Sequence, residues 1–81
     1  MSKQITVRYF AAFRERAGTD AENLRIEADT ARDVFERVRD RIGTAEPLAH
    51  CKVAVNDELV GWDARVEDGD TVLLFPPVAG G

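Results

Sequence analysis

The stretch TARDVFERVRDRIG, residues 30–43 of the 81, decides how the rest of the chain is read. Ala31, Val34, Phe35, Val38 and Ile42 recur at helical spacing and form a single apolar stripe. Thr30 stands just before that stripe, with Asp33 three residues later. That is a capping-box-like start, in which a hydroxyl and a carboxylate satisfy free backbone N–H groups. Gly43 ends the helix. Its other side carries Arg32, Arg37, Arg39 and Arg41 interleaved with Asp33, Glu36 and Asp40, which reads as a solvated helix face.

A helix with one apolar stripe needs a second layer, and the flanking sequence supplies strands. Residues 4–10 alternate, with Ile5, Val7 and Tyr9 on one side and Thr6, Arg8 and Phe10 on the other. Residues 11–17 suit a short helical turn stopped by Gly18. Leu24 and Ile26 mark a second strand over 23–28, antiparallel to the first. Beyond the helix, residues 46–49 with Pro47 form a connection, and 52–56 form a third strand with Val53 and Val55 in phase. Asn56-Asp57 is a turn, 58–60 a short returning strand, and 61–70 a loop closed by the turn Glu67-Asp68-Gly69-Asp70. Residues 71–75 are nearly all apolar, as expected of a central buried strand. The helix-containing connection allows the first and last strands to lie side by side and parallel. The expected class is α+β: a ubiquitin-like β-grasp with a mixed sheet of four to five strands on one main helix.

Length and composition limit the functions to consider. One small domain is expected over 1–75, with an extended diglycine tail over 76–81. With 15 acidic and 11 basic residues the net charge is −4, a poor surface for nucleic acid. The same balance favours solubility and steering toward a basic partner. Cys51 is the only cysteine and His50 the only histidine, so neither a disulfide framework nor a metal clip is expected. There is no apolar run of membrane-spanning length and no export signal, and the expected location is the cytoplasm. Cys51 reads as a small buried hydrophobe, His50 as a loop histidine, and Trp62 as a partly buried anchor under the loop. Asp68 and Asp70 read as turn residues. No phosphate loop, triad or paired-carboxylate site stands out.

What remains is the tail. Pro76 and Pro77 stop the last strand, since neither donates a ladder hydrogen bond. Six extended residues reach roughly 20 Å, enough to thread a deep pocket on another protein. The prolines bias the base of the tail toward an extended form, and Gly80 and Gly81 let a narrow channel enclose the backbone. A free carboxylate at Gly81 is a poor acyl donor. Adenylation with ATP gives it a leaving group that a sulfur or amine nucleophile can displace.

Phe75-Pro76-Pro77-Val78-Ala79-Gly80-Gly81 resembles the terminal signature of the small subunits of molybdopterin synthase, the sulfur carriers of molybdenum-cofactor biosynthesis. Val7-Arg8-Tyr9-Phe10-Ala11, Arg14-Glu15 before Gly18, Ala54-Val55-Asn56 and Asp68-Gly69-Asp70 agree in order, so the resemblance spans nearly the whole chain. It implies that an ATP-dependent activating enzyme adenylates Gly81 and that a sulfurtransferase system converts it to a thiocarboxylate. No cofactor would be bound to the chain itself. The tail would enter the large synthase subunit, with Ala79 and Gly80 in the channel, in a complex of two small and two large subunits. There two such sulfurs would build a dithiolene on a cyclic pyranopterin monophosphate. Catalytic residues would then lie on the large subunit.

Strand phase points separately to a docking face. If Ile5, Val7, Tyr9, Val72 and Leu74 face the helix, Phe10, Leu73 and Phe75 lie on the opposite side, joined by Leu59. The expected partner-binding set is Phe10, Leu59, Phe75, Pro76, Pro77, Val78, Ala79 and Gly80, used by the large subunit and, at another time, by the activating enzyme. The competing expectation is a second minor core covered by residues 11–17. Other readings of the whole are a carrier for thiamine, cysteine or tRNA thiolation, a protein modifier forming isopeptide bonds, and a plain binding module.

Overall fold

A computed structural model describes residues 2–77 of the chain. The elements are β1 (Ser2–Tyr9), α1 (Ala12–Ala17), β2 (Ala21–Glu27), α2 (Ala31–Ile42), a 3-10 turn (Leu48–His50), β3 (Lys52–Val55), β4 (Glu58–Val60) and β5 (Thr71–Phe75). The five strands form one sheet in the order β2-β1-β5-β3-β4. β1 and β5 are parallel at its centre, and the other pairs are antiparallel. The mixed-sheet β-grasp read from the sequence is the fold.

Local chemistry sets the element ends. Asp33 Oδ2 accepts from the N–H groups of Asp29 and Thr30, while Thr30 Oγ1 accepts from Asp33 N–H, so the capping box is complete. The next two amides, of Ala31 and Arg32, donate to the carbonyls of Ala64 and Trp62, which ties the loop before β5 to the start of α2. At the other end Gly43 sits at φ +70°, where a Cβ is strained, and its N–H donates to the Arg39 carbonyl. Asn56 and Asp57 both have positive φ and form the tight two-residue turn between β3 and β4.

Some boundaries differ from expectation. β1 starts at Ser2 and stops before Phe10, because the Phe10 carbonyl accepts from Phe13 N–H and opens the turn into α1. β2 starts at Ala21, where the Tyr9 amide donates to the Asp20 carbonyl and lengthens the ladder. The connection after α2 closes in a 3-10 turn that includes His50.

The core lies between α2 and one face of the sheet. Ile5, Val7, Tyr9, Val53, Val72 and Leu74 pack against Ala31, Val34, Phe35 and Val38. Phe13 of α1 joins this core, its ring 6.3 Å from that of Phe35, and the Trp62 ring packs tilted against Phe35 at 5.3 Å. α1 is therefore committed to the helix side and does not cover the opposite face of the sheet, as the minor-core expectation required. Among the described residues no helix is long and apolar enough to cross a membrane.

Candidate functional site

Strand register organises the open face into rows. Gln4 pairs with Arg25, and Thr6 pairs with Asn23 and Thr71, so one end of this face is polar. The next row runs Arg8, Leu73, Ala54, Leu59 across four strands. Beyond it the Phe10 and Phe75 rings meet at 5.4 Å, and Lys52 pairs with Phe75. The apolar residues thus gather at the end where β5 runs into Pro76 and Pro77. Alternation of side chains in a pleated strand causes this arrangement. Val72 and Leu74 point into the core, so Leu73 and Phe75 must point away from it.

Burial marks this row as a surface of its own. Phe10 is 54 % exposed and Leu59 71 %, the two large apolar side chains most open to solvent among the described residues. Ala54 between them is only 5 % exposed, shielded by the larger neighbours it pairs with. Phe75 is partly exposed. The structure therefore brings Phe10, Leu59 and Phe75 onto one face, as the strand phases implied. It adds Ala54, Arg8 and Lys52, which the sequence reading passed over. Their phase was visible in the sequence, but their cross-strand neighbours depend on register between distant segments.

On the helix side, Pro76 and Pro77 border a groove with Ala12, Phe13, Arg16 and Glu46. The Arg16 guanidinium donates to the Gly43 carbonyl and pins α1 to the end of α2. Val78, Ala79, Gly80 and Gly81 lie outside the described residues, so the tail expectations that fall on them have no geometry here.

A second polar cluster holds the layers together. Tyr9 Oη donates to Glu22 Oε2 at 2.6 Å, and Arg41 donates to both Glu22 oxygens. The bonds from Arg41 and Tyr9 hold the Glu22 carboxyl below its usual range. Burial, reinforced by Glu22, pushes the Tyr9 phenol up. These residues connect β1, β2 and α2. Cys51 is buried, its thiol donates to the Pro47 carbonyl, and burial pushes its pKa up, so it packs as a small hydrophobe. His50 is exposed on the 3-10 turn. Asp68 does more than turn the chain: its carboxylate accepts from the Gln4 amide and secures the loop to β1. Among the described residues no group of His, Cys, Asp and Glu is placed to hold a metal ion.

The chain resembles known proteins along almost its whole length. It is 38 % identical to the molybdopterin synthase sulfur carrier subunit of Escherichia coli (strain K12), covering 95 % of this chain and 99 % of that one. It is 33 % identical to small archaeal modifier protein 3 of Haloferax volcanii, over 96 % and 99 % of the two chains. The structure of a putative molybdopterin converting factor subunit 1 from Pyrococcus furiosus superposes with a TM-score of 0.80 at 36 % identity, over 95 % and 100 % of the chains. A chain from a protein–protein complex of subunits 1 and 2 of molybdopterin-converting factor from Helicobacter pylori 26695 matches at TM-score 0.63 and 32 % identity, over 96 % of this chain and 99 % of that one. The ThiS family profile matches residues 7–81. On sequence and on fold together, the chain belongs to the ThiS family and carries it on a ubiquitin-like β-grasp domain.

Proposed function

We propose that this chain is the sulfur carrier subunit of a molybdopterin synthase and works through the carboxyl group of Gly81. The observation that carries this reading is the near-full-length match to the Escherichia coli carrier subunit. A Gly81 carboxylate oxygen attacks the α-phosphorus of ATP, pyrophosphate leaves, and an acyl-adenylate forms. Sulfide-level sulfur from a sulfurtransferase system attacks the glycyl carbonyl, AMP departs, and a thiocarboxylate remains. Delivery of that sulfur to the pyranopterin returns a carboxylate to Gly81 once water supplies the oxygen.

In this reading the folded body supplies position. Phe10, Leu59 and Phe75 dock the large synthase subunit, and in a separate encounter the activating enzyme, because both must approach the same end of the sheet. Pro76 and Pro77 hold the base of the tail extended, and Val78, Ala79 and Gly80 line its path into the partner. The chain is not an enzyme alone. The reacting atom is its own, and the catalytic side chains belong to the large subunit, in an assembly of two small and two large subunits in the cytoplasm.

Reconstitution with a large synthase subunit and the pyranopterin precursor tests this. The thiocarboxylated chain supports dithiolene formation and shows the intact mass of one oxygen exchanged for sulfur. A chain lacking Gly81 does neither. Undiminished product from the shortened chain would overturn the reading.

The match to an archaeal modifier protein favours one second reading, a ubiquitin-like modifier joined to lysines through the same glycine. Glycyl-lysine branch peptides in digests of cell extract would identify it.

A further inference from the structure

Charge on the open face is sorted by end, and Glu27 of β2, paired with Ser2, stands at the polar end. β1, β5, β3 and β4 place no carboxylate on the open side of the sheet, as their register fixes. At the apolar end the charged open-face residues are Arg8, paired with Leu73, and Lys52, paired with Phe75. Both are exposed, and neither forms an ion pair among the described residues. The excess negative charge gathers elsewhere, in a groove between the end of β2 and α2 lined by Glu27, Asp29, Asp33, Glu36, Arg37 and Asp40.

Net charge alone points to a basic partner. That sum describes a remote field, whereas close approach is governed by the charges within a Debye length of about 8–10 Å. At the apolar end of the open face those charges are positive. Their positions match the usual anatomy of an interface, an apolar centre with a charged rim.

We infer that the open face fits a protein partner whose apolar centre is rimmed by aspartate or glutamate carboxylates, with Arg8 and Lys52 as the cationic rim on this side. The inference rests on the reading of this face as the docking surface and adds the sign of charge it selects. A basic rim opposite Arg8 and Lys52 would set like charges against each other, which discriminates against such proteins. Opposite-sign rims steer encounter, so the effect falls mainly on the association rate and weakens with salt.

The test is stopped-flow association with the purified large synthase subunit of the same organism, across a salt series. The double variant Arg8→Glu with Lys52→Glu slows association about tenfold or more at low ionic strength, and the difference shrinks as salt rises. The milder double variant Arg8→Gln with Lys52→Gln falls between it and the unaltered chain. Arg37→Glu with Arg65→Glu makes the same change in net charge away from this face and stays within about twofold. Equal slowing by the two glutamate pairs, or no slowing by Arg8→Glu with Lys52→Glu, overturns the inference. So does loss of binding in Phe75→Ala beside full-speed association of that pair, a result that leaves the sulfur-carrier reading standing. The carrier reading is judged separately by the Gly81 thiocarboxylate.

Discussion

Phe75 and Leu74 are neighbours in the chain and opposites in use. Leu74 is fully buried against α2, so Leu74→Ala should cost about 2–5 kcal/mol of unfolding free energy, read from a urea titration. Phe75 points the other way, its ring tilted against that of Phe10. Phe75→Ala should leave the urea midpoint nearly unchanged and weaken binding to the large subunit by about 2 kcal/mol or more, measured by calorimetry. A large stability loss with intact binding would reverse the assignment of the two faces. Glu22 supplies a different kind of residue-scale prediction. Its folded-state pKa is lowered by Arg41 and Tyr9, so its contribution is complete above the unfolded glutamate value of about 4.3. That contribution is lost as pH falls through the lower folded value. Glu22→Gln should therefore flatten the acid limb of stability against pH, and an unchanged limb would remove Glu22 from the cause.

At the scale of elements, α2 was the most legible part of the sequence. Its cap, stripe and terminating glycine are all local, and local chemistry does not depend on what packs nearby. Thr30→Ala should lower stability by about 1 kcal/mol, because it frees a backbone donor at the helix start. Thermal melts would settle it. The strands were legible in phase and less so in extent. β2 gains Ala21 through a bond from Tyr9 to Asp20, and β1 loses Phe10 to the first turn of α1. The first depends on a partner eleven residues away, and the second on a turn bond to Phe13 that strand alternation does not reveal. The anchoring of the 61–70 loop was not legible at all. Its carbonyls complete the start of α2 and Asp68 takes the Gln4 amide, pairings that exist only once the sheet has closed.

For the whole molecule, the core closes within the described residues: α2 packs on one face of the sheet, and the exposed apolar row occupies the other. A chain ending at Pro77 should therefore melt within a few degrees of the full chain while forming no thiocarboxylate. A collapse in melting temperature would mean that the last four residues take part in folding. Fold and function would then separate cleanly along the chain: burial sustains the body, and the proposed chemistry needs the final glycine.

The sequence by itself determined the helix, the phase of the strands, and the proline-then-glycine ending, because caps, periodicity and missing side chains act over a few residues. Tertiary structure decided which side chains stand next to one another on the open face. Phe10 meets Phe75, and Arg8 and Lys52 come to flank an apolar row, through pairings between segments far apart in the chain. Register between distant strands follows from filling one core on the opposite face, and no local pattern carries that information.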